Sequence, residues 1–292
     1  APIALSFGFY LSICPADEPI VFSWVEKAVA DDPRMAASLL RLHFHDCFGC
    51  DASVLLDDTP DFVGEKTALP NANSLRGFEF IDSIKADLEF ACPQTVSCAD
   101  ILAIAARDSV ILSGGPAWEV RLGRKDSRTA SRTRANNDIP PPNADVKTLV
   151  SKFRQKGLSL QDMVALSGAH TIGKARCSTF SGRRDDGVDD NREFLASLQQ
   201  LCSIDPNNTL AELDHATPAA FDNQYYVNLV YGEGLLSSDQ VLLRDEETRA
   251  IVQGYANEAG AFFEDFTTAM QKMGSIGVGN EGEIRRNCRV VN

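Results

Sequence analysis

Arg41-Leu-His-Phe-His45-Asp-Cys47 and Leu166-Ser-Gly-Ala-His170-Thr171 are the two stretches that decide the fold of this chain. Each places a histidine among neighbours that suit a chemical role, and the 292-residue chain has only four histidines. Two histidines in such company are informative, and the residues around each one indicate what it can do.

The first stretch is predicted to be helical. Residues 35–44 contain no helix breaker and follow Asp32-Pro33, a pair typical of a helix start. Residues four apart share one face of a helix, so Arg41 and His45 project side by side. The guanidinium charge disfavours imidazolium and keeps His45 able to accept a proton. Such a pair can take a proton from a bound molecule and stabilise the resulting anion, although an incidental Arg and His at a helix end is the alternative.

The second stretch ends the helix before it. Ser167, Gly168 and Ala169 are small and let the backbone come close to a flat group. A neutral imidazole such as that of His170 is a usual axial ligand of haem iron, and such a ligand needs its other ring nitrogen held by a carboxylate or a carbonyl. A histidine after a glycine is also compatible with a purely structural role, so both interpretations stay open.

The composition excludes several classes of protein. The chain is 44% hydrophobic and 24% charged, as is ordinary for a soluble globular protein. Its net charge of −13 argues against nucleic acid or an anionic membrane as the main partner. The basic residues between Arg121 and Arg134 are interpreted as a solvated loop. The chain has no apolar run long enough to span a membrane, and its start lacks the features of a signal peptide, which is typical of a mature chain.

The eight cysteines are scattered, and only Cys47 and Cys50 lie close together in the sequence. A zinc ribbon needs a second close pair, so disulfides in a secreted protein are the better interpretation. The spacing leaves every pairing open. Asn207-Asn208-Thr209 is a sequon, and it predicts N-glycosylation at Asn207.

Helical periodicity dominates the chain and predicts a mainly α fold with about ten helices and minimal β structure. A short strand is predicted over residues 118–122, and residues 123–143 and 203–220 are predicted to be long irregular connections. The predicted helices cover approximately residues 20–30, 35–44, 77–90, 98–112, 145–156, 160–166, 192–202, 222–231, 246–259 and 261–273.

Two groups of oxygen-bearing side chains suit a hard cation such as calcium. The first group surrounds a short loop and comprises Asp46, Asp51 and Ser53. The second group comprises Thr171, Asp214, Thr217 and Asp222. Neither has the spacing of an EF-hand loop, and acidic loops are common in an acidic protein.

Taken together, these segments closely resemble the secreted haem peroxidases of plants, the class III or horseradish-type family. The match extends over nearly the whole chain and includes further motifs at residues 50–53, 71–78, 96–102, 122–127, 221–226 and 236–240. The resemblance implies a haem peroxidase fold with one domain over residues 1–292. Its distal lobe covers approximately residues 1–140 and its proximal lobe approximately 141–270, with haem b between them and a C-terminal segment returning to the distal lobe.

The resemblance also implies roles on the distal side of the haem. His45 moves a proton between the two oxygens of hydrogen peroxide, and Arg41 stabilises the charge that develops as their bond breaks. Phe44 lines the same pocket, and Asn71 holds His45 in its basic tautomer. Pro140 lies where aromatic donors bind at the haem edge.

On the proximal side, the resemblance implies that His170 binds the iron and that Asp239 accepts a hydrogen bond from it. The implied activity is reduction of hydrogen peroxide to water, with successive one-electron oxidation of small phenolic donors. The implied protein is a monomer of the cell wall, the extracellular space or the vacuole. A catalytically impaired haem- or calcium-binding wall protein is the alternative, and a zinc hydrolase using His43 and His45 is disfavoured by their helical spacing.

Disulfides and calcium ligands follow from the same resemblance. The implied pairs are Cys14–Cys92, Cys47–Cys50, Cys98–Cys288 and Cys177–Cys202. Two calcium ions are expected. The distal ligands are Asp46, Gly49, Asp51 and Ser53, and the proximal ligands are Thr171, Asp214, Thr217, Ala220 and Asp222. Family members carry two more residues between Phe48 and Gly49, so the shorter loop puts the distal ion in doubt.

Overall fold

The computed structural model describes residues 4–47, 49–183, 190–279 and 281–292. The chain divides into two compact units, which are described separately. The first unit comprises Ala1–Leu112, Ala117–Ile139 and Gln271–Asn292, and the second comprises Ser113–Pro116 and Pro140–Met270.

The described residues of the first unit form five α-helices, of which α2 packs against α4 and α1 packs against both α3 and α4. Their bounds are α1 Asp17–Asp31, α2 Arg34–Asp46, α3 Phe78–Ala91, α4 Cys98–Leu112 and α5 Arg132–Asp138. Apolar faces meet in one core that includes Val25, Leu39, Ile84 and Ile101. Burying such side chains contributes about 1.5–3 kcal/mol each, which holds α2 and the side chains it carries in place.

The start of α4 is held by residues that are distant in the sequence. The carboxylate of Asp126 accepts hydrogen bonds from the backbone N–H groups of Cys98 at 3.1 Å and Ala99 at 2.9 Å. A negative charge at this end of a helix is stabilising. Arg124 is buried and donates from Nη1 to Asp100 at 2.7 Å. The prediction of a solvated basic loop is therefore wrong for Arg124, because a buried partner exists that local sequence does not reveal.

The second unit contains the remaining helices and one small sheet. The helices are α6 Val146–Gln155, α7 Leu160–Ser167, α8 Cys177–Phe180, α9 Arg192–Cys202, α10 Gln224–Val230, α11 Ser237–Gln240, α12 Glu246–Asn257 and α13 Ala259–Met273, the last assigned to this unit as far as Met270. Strand β1 (Lys174–Arg176) pairs antiparallel with β2 (Leu210–Glu212). A large aromatic cluster forms part of the core, and it includes Phe221, Tyr226, Tyr255, Phe262 and Phe266.

The mainly α fold is confirmed. All the predicted helices occur with ends shifted by a few residues, and the described residues contain three further short helices, α5, α8 and α11. The strand predicted over residues 118–122 is wrong, since Leu122 forms only an isolated bridge with Ser6. Strand β2 lies inside the connection at 203–220 that was predicted to be irregular. Short strands depend on a distant partner, which periodicity cannot show.

Four disulfides are present, and their pairs are those that the family resemblance implies. The first unit holds Cys14–Cys92, Cys47–Cys50 and Cys98–Cys288, and the second holds Cys177–Cys202. Cys98–Cys288 links residues 190 positions apart. A bridge that closes a loop of this length contributes about 5 kcal/mol in the chain-entropy account. None of the helices in the described ranges combines the length and apolar character needed to cross a membrane.

Candidate active site

Arg41 and His45 lie one turn apart on α2 in the first unit. The Arg41 guanidinium donates to the carbonyl oxygens of Pro70 at 2.9 Å and Ser74 at 3.1 Å, and to the Ser74 hydroxyl at 3.1 Å. These three bonds fix its plane against one loop. A guanidinium carries five N–H donors, so donors remain for another oxygen.

The His45 ring is oriented by Asn71. Asn71 Oδ1 lies 2.6 Å from His45 Nδ1, and Asn71 Nδ2 donates to the carbonyl oxygen of Glu65 at 2.9 Å. Because the amide donates with its nitrogen to Glu65, its oxygen must accept from the histidine. His45 Nδ1 therefore carries the proton, and Nε2 keeps a lone pair that can accept another.

Electrostatics keep this imidazole neutral. Burial lowers the pKa of His45 well below its usual range, and the nearby Arg41 charge lowers it further, against a smaller opposing effect of the Asn71 hydrogen bond. Burial also lowers the pKa of Arg41 to about 10, which leaves the guanidinium charged at neutral pH. The site thus places an unprotonated Nε2, which can accept a proton, beside a fixed positive charge.

His43 lies on the same helix but in a different environment. It is buried, its Nδ1 lies 3.4 Å from the Sγ of Cys47, and burial lowers its pKa to about 3. Among the residues that the structure describes, no three His, Cys, Asp or Glu side chains converge to hold a metal ion. The two histidines of the zinc alternative face different partners, since His43 lies against Cys47 and His45 against Asn71.

His170 lies in a 3-10 turn, Gly168–Thr171, directly after α7 in the second unit. The turn packs tightly, because a Cβ added to Gly168 would lie 2.3 Å from the Tyr226 hydroxyl and 2.7 Å from the Phe262 ring. The small residues predict that the backbone comes close to another group, and the structure shows that this group is the pair of aromatic side chains. Their packing against Gly168 fixes the position from which His170 projects.

Asp239 in α11 orients the His170 ring. The Nδ1 of His170 lies 2.8 Å from Oδ1 of Asp239, and Tyr225 donates from its hydroxyl to the same oxygen at 2.9 Å. The side chain of Asp239 is only 4% exposed, whereas that of His170 is 38% exposed. With Nδ1 donating to the carboxylate, Nε2 carries no proton and keeps its lone pair. This arrangement fits an axial ligand of haem iron.

The second group of predicted calcium ligands comes together around Thr171. The Thr171 hydroxyl lies 3.1 Å from Asp214 Oδ2 and 3.0 Å from Asp222 Oδ1. The Thr217 hydroxyl lies 3.2 Å and 3.1 Å from the same two carboxylate oxygens. Four closely spaced oxygens with two negative charges are the donors that calcium prefers, so these residues fit the ion.

The first group fits calcium only in part. Asp46 Oδ2 accepts from the backbone N–H of Ala52 at 2.9 Å, and Asp51 Oδ1 accepts from that of Ser53 at 3.2 Å. Burial raises the pKa of Asp46 well above its usual range, and the charges of Asp51 and Glu65 raise it further. A bound cation would offset the repulsion between these carboxylates. However, one oxygen of Asp46 and one of Asp51 already accept hydrogen bonds from the backbone of the same loop.

The other predicted positions are spread over the surface and the loops. Gly49 and Pro140 are partly buried, whereas Ala220 and Asn207 are exposed. The exposure of Asn207 suits a glycosylation acceptor. Phe48 lies outside the described residues. No sequence pattern identifies Tyr225, because its contact with Asp239 exists only in the folded chain.

The helical fold, the neutral His45 beside Arg41 and the carboxylate-held His170 together define a haem-dependent peroxidase. The family model described as Peroxidase matches residues 21–258, and the chain belongs to this family. Peroxidase 40 of Arabidopsis thaliana is 62% identical over 301 residues, covering 99% of this chain and 86% of that protein. Peroxidase 4 of Vitis vinifera is 54% identical over 295 residues, covering 99% and 92%.

A Peroxidase of Triticum aestivum is also 54% identical over 292 residues, covering 99% of this chain and 92% of that protein. The resemblance to plant class III peroxidases is therefore confirmed. The chain is a plant peroxidase that uses hydrogen peroxide, of a family that binds haem and calcium and is generally secreted.

Proposed function

We propose that this peroxidase reduces hydrogen peroxide to water and oxidises small phenolic donors in successive one-electron steps. The observation that carries the proposal is the state of His45, a buried neutral imidazole whose Nδ1 is bonded to Asn71 and whose neighbour is the charged Arg41. A group able to accept and return a proton beside a fixed cation is what heterolysis of a peroxide requires.

One haem b is the proposed cofactor, with His170 as its iron ligand and Asp239 as the partner of that ligand. When bound, the haem supplies the redox chemistry. We further propose that residues 1–292 act as one haem peroxidase domain. Its distal lobe covers approximately residues 1–140, its proximal lobe approximately 141–270, and its C-terminal segment belongs with the distal lobe.

The chain itself moves protons and stabilises charge. His45 accepts a proton at Nε2 from one peroxide oxygen and returns it to the other, so that water leaves. Arg41 offers its free N–H donors to the oxygen on which negative charge develops. Asn71 keeps the His45 proton on Nδ1, and Phe44, whose ring lies 5.6 Å from that of His45, restricts the space beside it. Phenolic donors are proposed to bind near Pro140.

Calcium is proposed at both predicted sites, with the proximal site the stronger of the two. Thr171, Asp214, Thr217 and Asp222 offer four oxygens there, and the Ala220 carbonyl completes the proposed set. The proposed ligands of the distal site are Asp46, Gly49, Asp51 and Ser53. The loop that carries them is two residues shorter than in other family members. The protein is further proposed to be a monomer, glycosylated at Asn207, in the cell wall, the extracellular space or the vacuole.

The alternative is a wall protein that binds haem or calcium but has lost catalysis. It is disfavoured because every group that the reaction needs has a suitable hydrogen-bond partner. A chain that only bound haem would gain nothing from holding a neutral histidine beside an arginine in a buried place, where desolvation of both groups is costly.

His45→Ala tests the proposal. The variant should retain bound haem and its absorption spectrum, while the rate constant for reaction with hydrogen peroxide falls by about 10²–10⁴-fold in stopped-flow measurements. His43→Gln is a matched control, since it alters a second buried histidine of α2 that does not contact Asn71. An unchanged rate in His45→Ala, or an equal loss in both variants, would show that His45 is not the proton acceptor.

A further inference from the structure

Tyr225 shares a carboxylate oxygen with His170. Its hydroxyl lies 2.9 Å from Oδ1 of Asp239, and Nδ1 of His170 lies 2.8 Å from that same atom. The two rings meet edge to face, with centroids 6.1 Å apart. Tyr225 is 2% exposed and Asp239 is 3% exposed, so water does not compete with either hydrogen bond.

We infer that Tyr225 is a positioning residue that limits how strongly Asp239 draws the proton of His170, and thereby limits the electron donation of His170 to the metal it holds. The inference rests on the proposed role of His170 as the ligand of haem iron. Two donors that share one oxygen divide its negative charge, so a bond from the tyrosine weakens the bond from the histidine.

The direction of the effect follows from the charge. A carboxylate that accepts from one donor alone pulls the Nδ1 proton strongly, and the imidazole gains anionic character at Nε2. A second hydrogen bond neutralises part of the carboxylate charge, and Nε2 becomes a poorer electron donor. Removal of the Tyr225 hydroxyl should therefore stabilise the oxidised metal relative to the reduced metal.

Tyr225 is placed to act as a donor. A phenol has an ordinary pKa of about 10, so the hydroxyl carries its proton at neutral pH. The ring is buried near the start of α10 and packs edge to face on Tyr226, with centroids 4.9 Å apart. This packing restrains the hydroxyl at its position beside Asp239.

Tyr255 provides a matched control for Tyr225. It is also a buried tyrosine of the second unit, at 3% exposure. Its hydroxyl also donates to a carboxylate, Oδ2 of Asp265, at 2.6 Å. Tyr255→Phe therefore removes a buried hydrogen bond between a tyrosine and a carboxylate without removing any hydrogen bond to Asp239.

The test is the reduction potential of the haem iron in the holoenzyme, measured by spectroelectrochemistry, together with the iron–histidine stretching frequency from resonance Raman spectroscopy. Tyr225→Phe should shift the potential to more negative values and raise the stretching frequency. Tyr255→Phe should leave both unchanged. Asp239→Asn should shift both in the opposite direction to Tyr225→Phe, because an amide draws the proton less than a carboxylate does.

An unchanged or more positive potential in Tyr225→Phe overturns the inference, as does an equal shift in Tyr255→Phe. If Tyr225→Phe does not fold, 3-fluorotyrosine at position 225 replaces it. This more acidic phenol should donate more strongly and move the potential to more positive values, and a negative shift would overturn the inference. Failure of the proposed function would give a different result from failure of this inference. If His170 were not the iron ligand, His170→Ala would keep the histidine-ligated spectrum of the wild type.

Discussion

His45 and His170 are held in the same way by chemically different partners. In each case a side-chain oxygen lies close to Nδ1, at 2.6 Å from Asn71 and at 2.8 Å from Asp239, and Nε2 keeps its lone pair. The partner of His45 is a neutral amide, which fixes the tautomer without adding charge. The partner of His170 is a carboxylate, which also makes the ring a better electron donor.

This difference suits two different tasks. A proton acceptor must stay neutral between reactions, and burial beside Arg41 keeps His45 so. In its proposed role as a metal ligand, His170 benefits from the negative charge of Asp239, which also accepts a hydrogen bond from Tyr225. In the proposed roles, the same amino acid therefore serves once as a base and once as a ligand, because the group facing Nδ1 differs.

The largest expected effect comes from removing the ligand. His170→Ala should lose haem, because losing only an outer partner of a metal ligand already costs about 10–100-fold in affinity and the ligand itself counts for more. Haem titration followed by Soret absorbance measures the loss. His215→Ala is the control, since His215 is another histidine of the second unit that contacts a carboxylate, Glu233, at 2.8 Å. Full haem retention in His170→Ala would contradict the assignment.

Replacing the amide partner of His45 with a carboxylate should make its environment resemble that of His170. In Asn71→Asp the new carboxylate faces His45 Nδ1, favours imidazolium and should slow the reaction with peroxide at neutral pH by about tenfold or more. Asn73→Asp is the control, because it introduces the same group on an exposed part of the same loop. Equal rates in Asn71→Asp and the wild type would show that the neutrality of the amide is unimportant.

The pH dependence is the smallest expected effect. Since the pKa of His45 is lowered, Nε2 is fully available above that pKa and is lost only as the pH falls through it. The rate constant for peroxide should therefore change by less than about twofold between pH 7 and pH 6. An ordinary imidazole, with a pKa of about 6.5, would lose about two-thirds of its neutral form over this range. A threefold fall would contradict the lowered pKa.

Most helices could be predicted because helical periodicity is local. The three short helices α5, α8 and α11 lack enough turns to show that pattern, and β1 and β2 exist only as a pair. The error at Arg124 has the same origin, since a basic residue in a polar stretch looks solvated until Asp100 is brought beside it. Predictions failed where a partner distant in the sequence decides the environment.

Within the site, the sequence alone indicates that Arg41 and His45 share a helix face, because four-residue spacing sets that geometry. Asn71 and Asp239 could be named only through the family resemblance. They lie 26 and 69 residues from the histidines that they orient. No pattern pointed to Tyr225, whose contact with Asp239 depends on how α10 and α11 pack.

The sequence by itself therefore determined a mainly helical protein with two distinctive histidines, one of them one turn from an arginine, because these properties depend on local spacing and composition. Only the tertiary structure decided which ring nitrogen of each histidine carries its proton and how much charge lies behind it. The reason is physical: an imidazole takes its protonation and donor strength from the atom that faces Nδ1, and in both cases folding brings that atom from a distant part of the chain.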